Sequence, residues 1–172
     1  MMKKFFLAVA VSAICSGAFA QKDNGTKFHF SVGPEVGFAV GGFNDTHSVG
    51  IGATIAAGFN IAPSTDFTIN SGLLSYAGRS VSSGIKYKSQ VIVPLKAGLK
   101  YFLSEGFYAE GQVGAGFLSN YGTGVAFAYS PVLGYEFSTK SGKAVDAAFK
   151  YDGYSKNGGS IGAINFRLAY RF

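Results

Sequence analysis

The last twelve residues of the chain, 161–172, alternate between apolar and polar positions. Every second residue is small or apolar, whereas the intervening positions include Arg167 and Arg171. A repeat of two residues is the period of a β-strand, so this segment predicts a strand with one apolar and one polar face. The apolar face continues to the final residue and carries Tyr170 and Phe172 at its end. Aromatic ends of this kind are typical of strands in membrane-spanning barrels.

The same alternation recurs in seven earlier segments, which are separated by short stretches rich in Gly, Asn, Asp and Ser. The predicted strands cover 27–40, 49–61, 66–78, 90–103, 107–118, 124–137, 144–154 and 161–172. Eight strands with short connections predict an all-β fold, an eight-stranded antiparallel up-and-down transmembrane β-barrel. The even number of strands places both termini at the same end of the barrel.

Four positions interrupt the regular pattern of the predicted strands. In the third strand, Leu74 and Tyr76 place apolar side chains on the otherwise polar face, which predicts a bulge or a change of register near Gly72. Pro34 and Pro131 lie on outward faces within strands, and each removes one hydrogen bond from the ladder. We therefore predict a bulge at each of these two prolines.

The first twenty residues have the composition of a secretory signal peptide. Two lysines precede a short apolar run at 5–14, and a small-x-small sequence follows just before residue 21. The apolar run is too short for a membrane-spanning helix, which needs about twenty residues. The sequence thus predicts a signal peptide over 1–20 and an outer membrane β-barrel domain over 21–172. A lipoprotein acylated at Cys15 is the alternative, which the bulky Ile14 before that cysteine disfavours.

The inward faces of the predicted strands carry charges of both signs. A soluble eight-stranded barrel would have to bury these charges in an apolar core, at a large cost in free energy. A transmembrane barrel can instead pair them with one another inside its lumen, while its apolar face meets lipid. The predicted lumen charge network consists of Glu35, Lys96, Lys100, Glu110, Glu136, Asp146, Lys150, Asp152, Arg167 and Arg171.

No segment of the sequence has the pattern of a catalytic, cofactor-binding or metal-binding site. Neither His29 nor His47 has a serine and an acid at a spacing that defines a triad. The glycine-rich segment 111–116 is followed by no helix and contains no lysine, so it indicates a strand and not a phosphate loop. The net charge of +6 is scattered along the chain and predicts no nucleic-acid partner.

The segment Gln90–Phe102, with the sequence QVIVPLKAGLKYF, resembles the central strand of the PorT-like outer membrane β-barrel family of Bacteroidetes. The likeness continues in the segment FYAEG at 107–111 and in LAYRF at 168–172. This resemblance implies an eight-stranded barrel of the OmpA and OmpX shape, without one agreed activity. It also implies that the barrel-assembly machinery reads the last strand, which makes Tyr170 and Phe172 an assembly signal.

Together these patterns predict a protein of the Gram-negative outer membrane with a structural or surface-interaction role and a closed, charge-filled lumen. Its expected partners are outer membrane lipids, lipopolysaccharide and, during insertion, the barrel-assembly machinery. Two alternatives belong to other functional classes. The first is a narrow pore for ions or small solutes, although open aqueous channels take about sixteen strands. The second is a lipid A-modifying enzyme, which would need an apolar lumen near the outer surface.

Overall fold

The computed structural model describes residues 28–81, 85–119, 124–139 and 143–172, which include ten strands. In chain order these are β1 (Phe28–Val40), β2 (His47–Ala62), β3 (Thr65–Gly78), β4 (Ser80–Val81), β5 (Ile85–Lys86), β6 (Gln90–Phe102), β7 (Phe107–Ser119), β8 (Gly124–Ser138), β9 (Ala144–Lys156) and β10 (Gly159–Arg171). Eight of them form a closed antiparallel barrel in which β1 pairs with β10, and β4 and β5 form a separate hairpin. The predicted fold class is confirmed.

The two ends of the barrel differ in how the strands are connected. At the terminal end, which holds Phe28 and Phe172, two residues connect β2 to β3 and four connect β6 to β7. At the opposite cap end, the short helix α1 (Gly42–Thr46) joins β1 to β2, and the β4–β5 hairpin lies between β3 and β6. The sequence predicted plain loops over 41–48 and 79–89, so both elements are additions to the prediction. No helix among the described residues is long and apolar enough to cross a bilayer.

The outer surface of the barrel is an apolar belt. Within the eight described barrel strands, no outward position carries a charged residue. Large apolar side chains are exposed there, with Ile51 66 %, Leu99 56 % and Phe127 57 % accessible. Leaving so much apolar surface in water would oppose folding, whereas contact with lipid satisfies it.

Aromatic side chains pack against one another near both edges of this belt. At the terminal end the ring centroids of Tyr170 and Phe172 lie 4.8 Å apart, and toward the cap end those of Tyr129 and Tyr151 lie 6.1 Å apart. Paired girdles of this kind mark the two interfaces of a membrane-spanning barrel.

The predicted bulges at Gly72, Pro34 and Pro131 are wrong. The pairing of β2 with β3 runs without a shift from Gly50 to Asn60, passing Gly72, and shifts only near the strand ends. Pro34 keeps its partner in β2, and Pro131 keeps its partner in β7. In the ladders to β10 and β9, the register is the same on both sides of the proline. The missing N–H therefore costs one ladder hydrogen bond but inserts no extra residue.

Candidate functional site in the barrel lumen

All ten predicted charged residues lie on the inward face of the barrel. The side chains of Arg167 and Arg171 remain partly exposed, and the other eight residues are buried. Unpaired charges at such depth would be costly, so the distances between opposite charges decide whether the lumen is stable. The buried eight are Glu35, Lys96, Lys100, Glu110, Glu136, Asp146, Lys150 and Asp152.

Asp152 is the hub of the central part of the lumen and is fully buried. One carboxylate oxygen lies 2.7 Å from Lys96 Nζ, and the other lies 3.5 Å from Lys150 Nζ. The hydroxyl of Ser130 and the amide of Asn165 donate further hydrogen bonds to the same carboxylate. Four strands, β6, β8, β9 and β10, are thereby joined across the lumen by a single side chain.

A second cluster of charges lies closer to the terminal end. Glu136 faces Lys100 at 2.8 Å and Arg171 at 3.1 Å. Asp146 faces Arg167 at 2.9 Å and shares Lys100 at 3.9 Å. Because each carboxylate meets two cations, the cluster behaves as a network and not as isolated pairs.

Two carboxylates stand at the edge of this network. Glu35 forms an ion pair with Lys150 at 2.9 Å, although its oxygens are not aligned for a directed hydrogen bond. Glu110 has no ammonium or guanidinium within 4.0 Å among the described residues. It accepts hydrogen bonds from the Thr68 hydroxyl and from the Asn70 amide, the latter at 3.3 Å. Nine of the ten predicted residues thus form ion pairs, and Glu110 does not.

The charged residues also depend on neutral side chains that the sequence prediction did not include. Arg167 donates hydrogen bonds to the hydroxyls of Thr54 and Ser31, both at 2.8 Å. The Tyr108 hydroxyl donates to Asp146 at 2.7 Å. All these neutral residues follow the same two-residue period as the charged residues. The alternation along each strand could therefore have identified them. These neutral residues are Ser31, Thr54, Thr68, Tyr108, Gln112, Ser130 and Asn165, and Asp66 is a further buried carboxylate that the prediction did not include.

The cap-end half of the lumen is apolar, unlike the uniformly charge-filled lumen that the sequence pattern predicts. Leu74 and Tyr76 point inward, in phase with the rest of β3, and are 0 % and 1 % exposed. The Tyr76 hydroxyl donates to Asn165 Oδ1 at 2.8 Å and so joins this apolar plug to the polar network below. The plug consists of Ala39, Phe43, Leu74, Tyr76, Ile92, Leu118, Ala126, Ala128, Tyr154 and Ala163.

Inward glycines make room for the large rings of the plug. A Cβ atom added at Gly50 would lie 2.5 Å from the ring of Tyr76, and one added at Gly116 would lie 2.4 Å from the ring of Tyr154. Each tyrosine therefore lies flat against a strand that has no side chain at that level. The small diameter of an eight-stranded barrel makes such pairing of large and small residues necessary.

Little space remains among the side chains of the polar half. The cavity there has a volume of about 30 Å³, enough for a few water molecules. Its walls include the Gln112 side chain, whose buried Oε1 has no protein hydrogen-bond partner. This space can hold water between the charged side chains.

Side chains and backbone of the cap end are tied together at His47, the first residue of β2. Its Nδ1 lies 2.8 Å from the Thr46 hydroxyl, and its Nε2 lies 3.2 Å from the carbonyl of Lys88. Arg79 donates to Asn44 Oδ1 at 2.6 Å, which links the β3–β6 connection to α1.

The second histidine lies at the terminal end of the lumen. His29 Nε2 is 3.7 Å from Asp66 Oδ2, and Asp66 also accepts a hydrogen bond from Asn60 at 3.0 Å. Ser31, the next inward residue of β1, accepts its hydrogen bond from Arg167. No group of three or more His, Cys, Asp or Glu residues in the described part of the chain could hold a metal ion.

A closed eight-stranded barrel with an apolar outer belt, aromatic edges and a polar lumen is the architecture of outer membrane β-barrels. No protein-family model matches the sequence, and no curated protein matches it either. The resemblance to the PorT-like family therefore stays a prediction. Comparison with solved structures, in contrast, finds barrels of the same size.

Three of the similar structures illustrate the match. Neisserial surface protein A is 13 % identical with a TM-score of 0.61, covering 86 % of this chain and 98 % of its own. OprG from Pseudomonas aeruginosa is 9 % identical with a TM-score of 0.57, covering 84 % and 95 %. Ail, the attachment invasion locus protein of Yersinia pestis, is 16 % identical with a TM-score of 0.54, covering 84 % and 97 %. At these identities the likeness defines the fold and not the activity.

Proposed function

We propose that the chain is an outer membrane barrel with a closed lumen, which presents its cap end outside the cell in a structural or surface-interaction role. The observation that carries this proposal is the two-layer filling of the lumen. The apolar plug lies above the ion-pair network, and the cavity in the polar half has a volume of about 30 Å³. In barrels of this class, the end with the short connections and both chain termini faces the periplasm.

The closed lumen predicts that the folded protein does not conduct. The chain from residue 21, refolded into a planar bilayer, is expected to give no steady ohmic current at any of several salt concentrations. A porin added to the same bilayer controls for detection, and a heat-dependent shift in gel mobility shows that the barrel is folded. Ohmic channels in every folded preparation would replace this proposal with the narrow pore.

The lipid A-modifying enzyme is the weaker alternative. An enzyme acting on acyl chains needs an apolar space at the outer half of the lumen, and that half is apolar here. It is nevertheless filled, because Leu74, Tyr76 and Ile92 are at most 1 % exposed. His29 lies beside Asp66, and the ring nitrogens of His47 lie beside the Thr46 hydroxyl and the Lys88 carbonyl, so we assign neither histidine a catalytic role.

The cap end carries more positive than negative charge in the described residues, which suits an anionic surface ligand. Arg79, Lys86 and Lys88 lie in the β3–β6 connection, close in sequence to one another, while α1 contributes Asp45. Ail has been crystallised with the heparin analogue sucrose octasulfate, a highly anionic molecule. For this chain we propose the phosphates of lipopolysaccharide as the first anionic partner to test.

The C-terminal aromatic residue is proposed as the assembly signal for the barrel-assembly machinery. Phe172 follows the last residue of β10, its N–H donates to the Phe30 carbonyl at 2.8 Å, and the residue is 57 % exposed. Deleting Phe172 is expected to lower the amount of barrel in the outer membrane several-fold, because the machinery loses its recognition element. Refolding in vitro should persist, since few lumen contacts are lost.

The matched control for this deletion is Phe137→Ala. Phe137 is equally exposed at 57 % and lies at the same end, with its ring 4.6 Å from Tyr135. Quantitative blotting of outer membranes and refolding in detergent are compared for both variants. Equal losses in cells would mean that any terminal-end aromatic residue is needed, and the assembly role of Phe172 would be wrong.

The signal peptide over 1–20 lies outside the described residues and stays a prediction. Cleavage before Gln21 would make that glutamine the first residue of the mature protein.

A further inference from the structure

The apolar belt is not uniform, because a wide groove is cut into its surface. The groove has a volume of about 610 Å³ and lies across β8, β9 and β10, and its lining extends to Phe107 of β7 and to Pro34 and Val36 of β1. Ala147 forms its floor, since this small residue sits between its partners Tyr135 and Leu168. Bulky side chains surround that floor on the same outer face, namely Leu133, Tyr135, Phe149, Phe166 and Leu168.

A basic side chain stands beyond the terminal end of this groove. Lys143 precedes β9, and its Nζ lies 6.0 Å from the centroid of the Tyr170 ring. Ala147 is four positions further along the chain, which corresponds to roughly 13 Å along an extended strand. Lys143 is exposed, and no carboxylate of the described residues lies within 4.0 Å of its ammonium group.

From this arrangement we propose that the groove binds one anionic glycerophospholipid of the inner leaflet. The acyl chain lies over Ala147, and the phosphate binds the ammonium of Lys143 at the aromatic girdle. The apolar lining suits a hydrocarbon chain, and the single cation at the interface suits one negatively charged headgroup. The proposal rests on the orientation given above, in which the terminal end faces the periplasm and hence the phospholipid leaflet.

The groove and the cation make separable contributions to binding. The groove contributes affinity for any acyl chain of fitting shape, irrespective of headgroup. Lys143 contributes preference, because an interfacial lysine favours an anionic over a zwitterionic headgroup by about fivefold. A second copy of the chain seated in the groove would require no headgroup preference at all.

Native mass spectrometry of the delipidated, refolded barrel tests the proposal. The protein is titrated in detergent with phosphatidylglycerol and with phosphatidylcholine, and the bound fractions are compared. The wild type is expected to bind one phosphatidylglycerol with about fivefold preference. Lys143→Ala should abolish the preference but keep weak binding, whereas Ala147→Phe should remove binding of both lipids. Ala147→Leu is the milder variant if phenylalanine impairs folding.

A control variant places a similar change away from the groove. Ala97→Phe adds the same ring to another outward alanine, on β6. It should bind lipid as the wild type does. Equal lipid binding by Ala147→Phe and Ala97→Phe would overturn the proposal. So would a wild-type dimer that holds no lipid and becomes a monomer in Ala147→Phe.

Failure of this proposal can be told apart from failure of the closed lumen. A barrel that conducts but binds phosphatidylglycerol at Lys143 contradicts only the closed lumen. A folded wild-type barrel that conducts no current and binds both lipids equally contradicts only the lipid site.

Discussion

Replacing Asp152 with asparagine is expected to lower the free energy of unfolding by about 3–5 kcal/mol. The change keeps the shape of the side chain but removes the charge that faces two lysines. Lys150 would still have Glu35 at 2.9 Å, whereas Lys96, 2 % exposed, would keep only the Ser130 hydroxyl at 2.7 Å. An ammonium without a counter-ion at this depth is the dominant cost. Urea titration of the barrel refolded in phospholipid vesicles measures it.

Two further variants show whether the cost comes from the orphaned charge. Glu110→Gln removes a lumen carboxylate that has no cation within 4.0 Å in the described residues, so it should cost only about 1 kcal/mol. Adding Lys96→Met to Asp152→Asn removes the uncompensated ammonium and should recover part of the lost stability. If Glu110→Gln proves as damaging as Asp152→Asn, the ion pairs around Asp152 are not what stabilises the lumen.

The alternation of apolar and polar residues along each strand made the architecture predictable. In a barrel that spans a membrane, the two faces of every strand meet opposite environments, so a period of two residues is enforced along the whole chain. Positions such as Phe166 and Arg167 are therefore assigned to opposite faces with no knowledge of the fold. The predicted bulges at Pro34 and Pro131 were wrong because a strand can lose one hydrogen bond to its neighbour without a change of register.

The pairing of the charges could not be predicted from the sequence. Lys96 and Asp152 are 56 positions apart, and β6 and β9 are not neighbours in the barrel. Their contact depends on the stagger of the strands around the barrel, which sets the height of each residue in the lumen. A strand pattern gives the face of a residue but not its height relative to distant strands.

The apolar plug was missed for a different reason. Leu74 and Tyr76 break the alternation that a fully polar lumen requires, so the sequence predicts a bulge or a change of register there. Phe43 lies between two predicted strands, and the short helix α1 brings it to 4 % exposure over the cap end. A side chain delivered by a connection follows no strand period, so no alternation could have revealed it.

The contrast between Leu74 and Leu73 tests this plug with two neighbouring residues. Leu74 faces the lumen at 0 % exposure, and Leu73 faces outward at 52 %. Leu74→Ala is expected to cost about 2–5 kcal/mol, because it leaves a cavity that the packed rings of Tyr76 and Phe43 cannot close. Leu73→Ala should cost clearly less, since lipid chains can fill the space that the missing methyl groups leave.

Both variants are unfolded by urea in the same phospholipid vesicles, so that the membrane contribution is shared. A larger loss for Leu74→Ala supports an inward Leu74 and a tightly packed plug at the cap end. Equal losses would mean that the cap-end lumen is loosely packed and open to water. A larger loss for Leu73→Ala would mean that Leu73 faces the lumen and Leu74 faces the lipid. The predicted shift of register near Gly72 would then be correct.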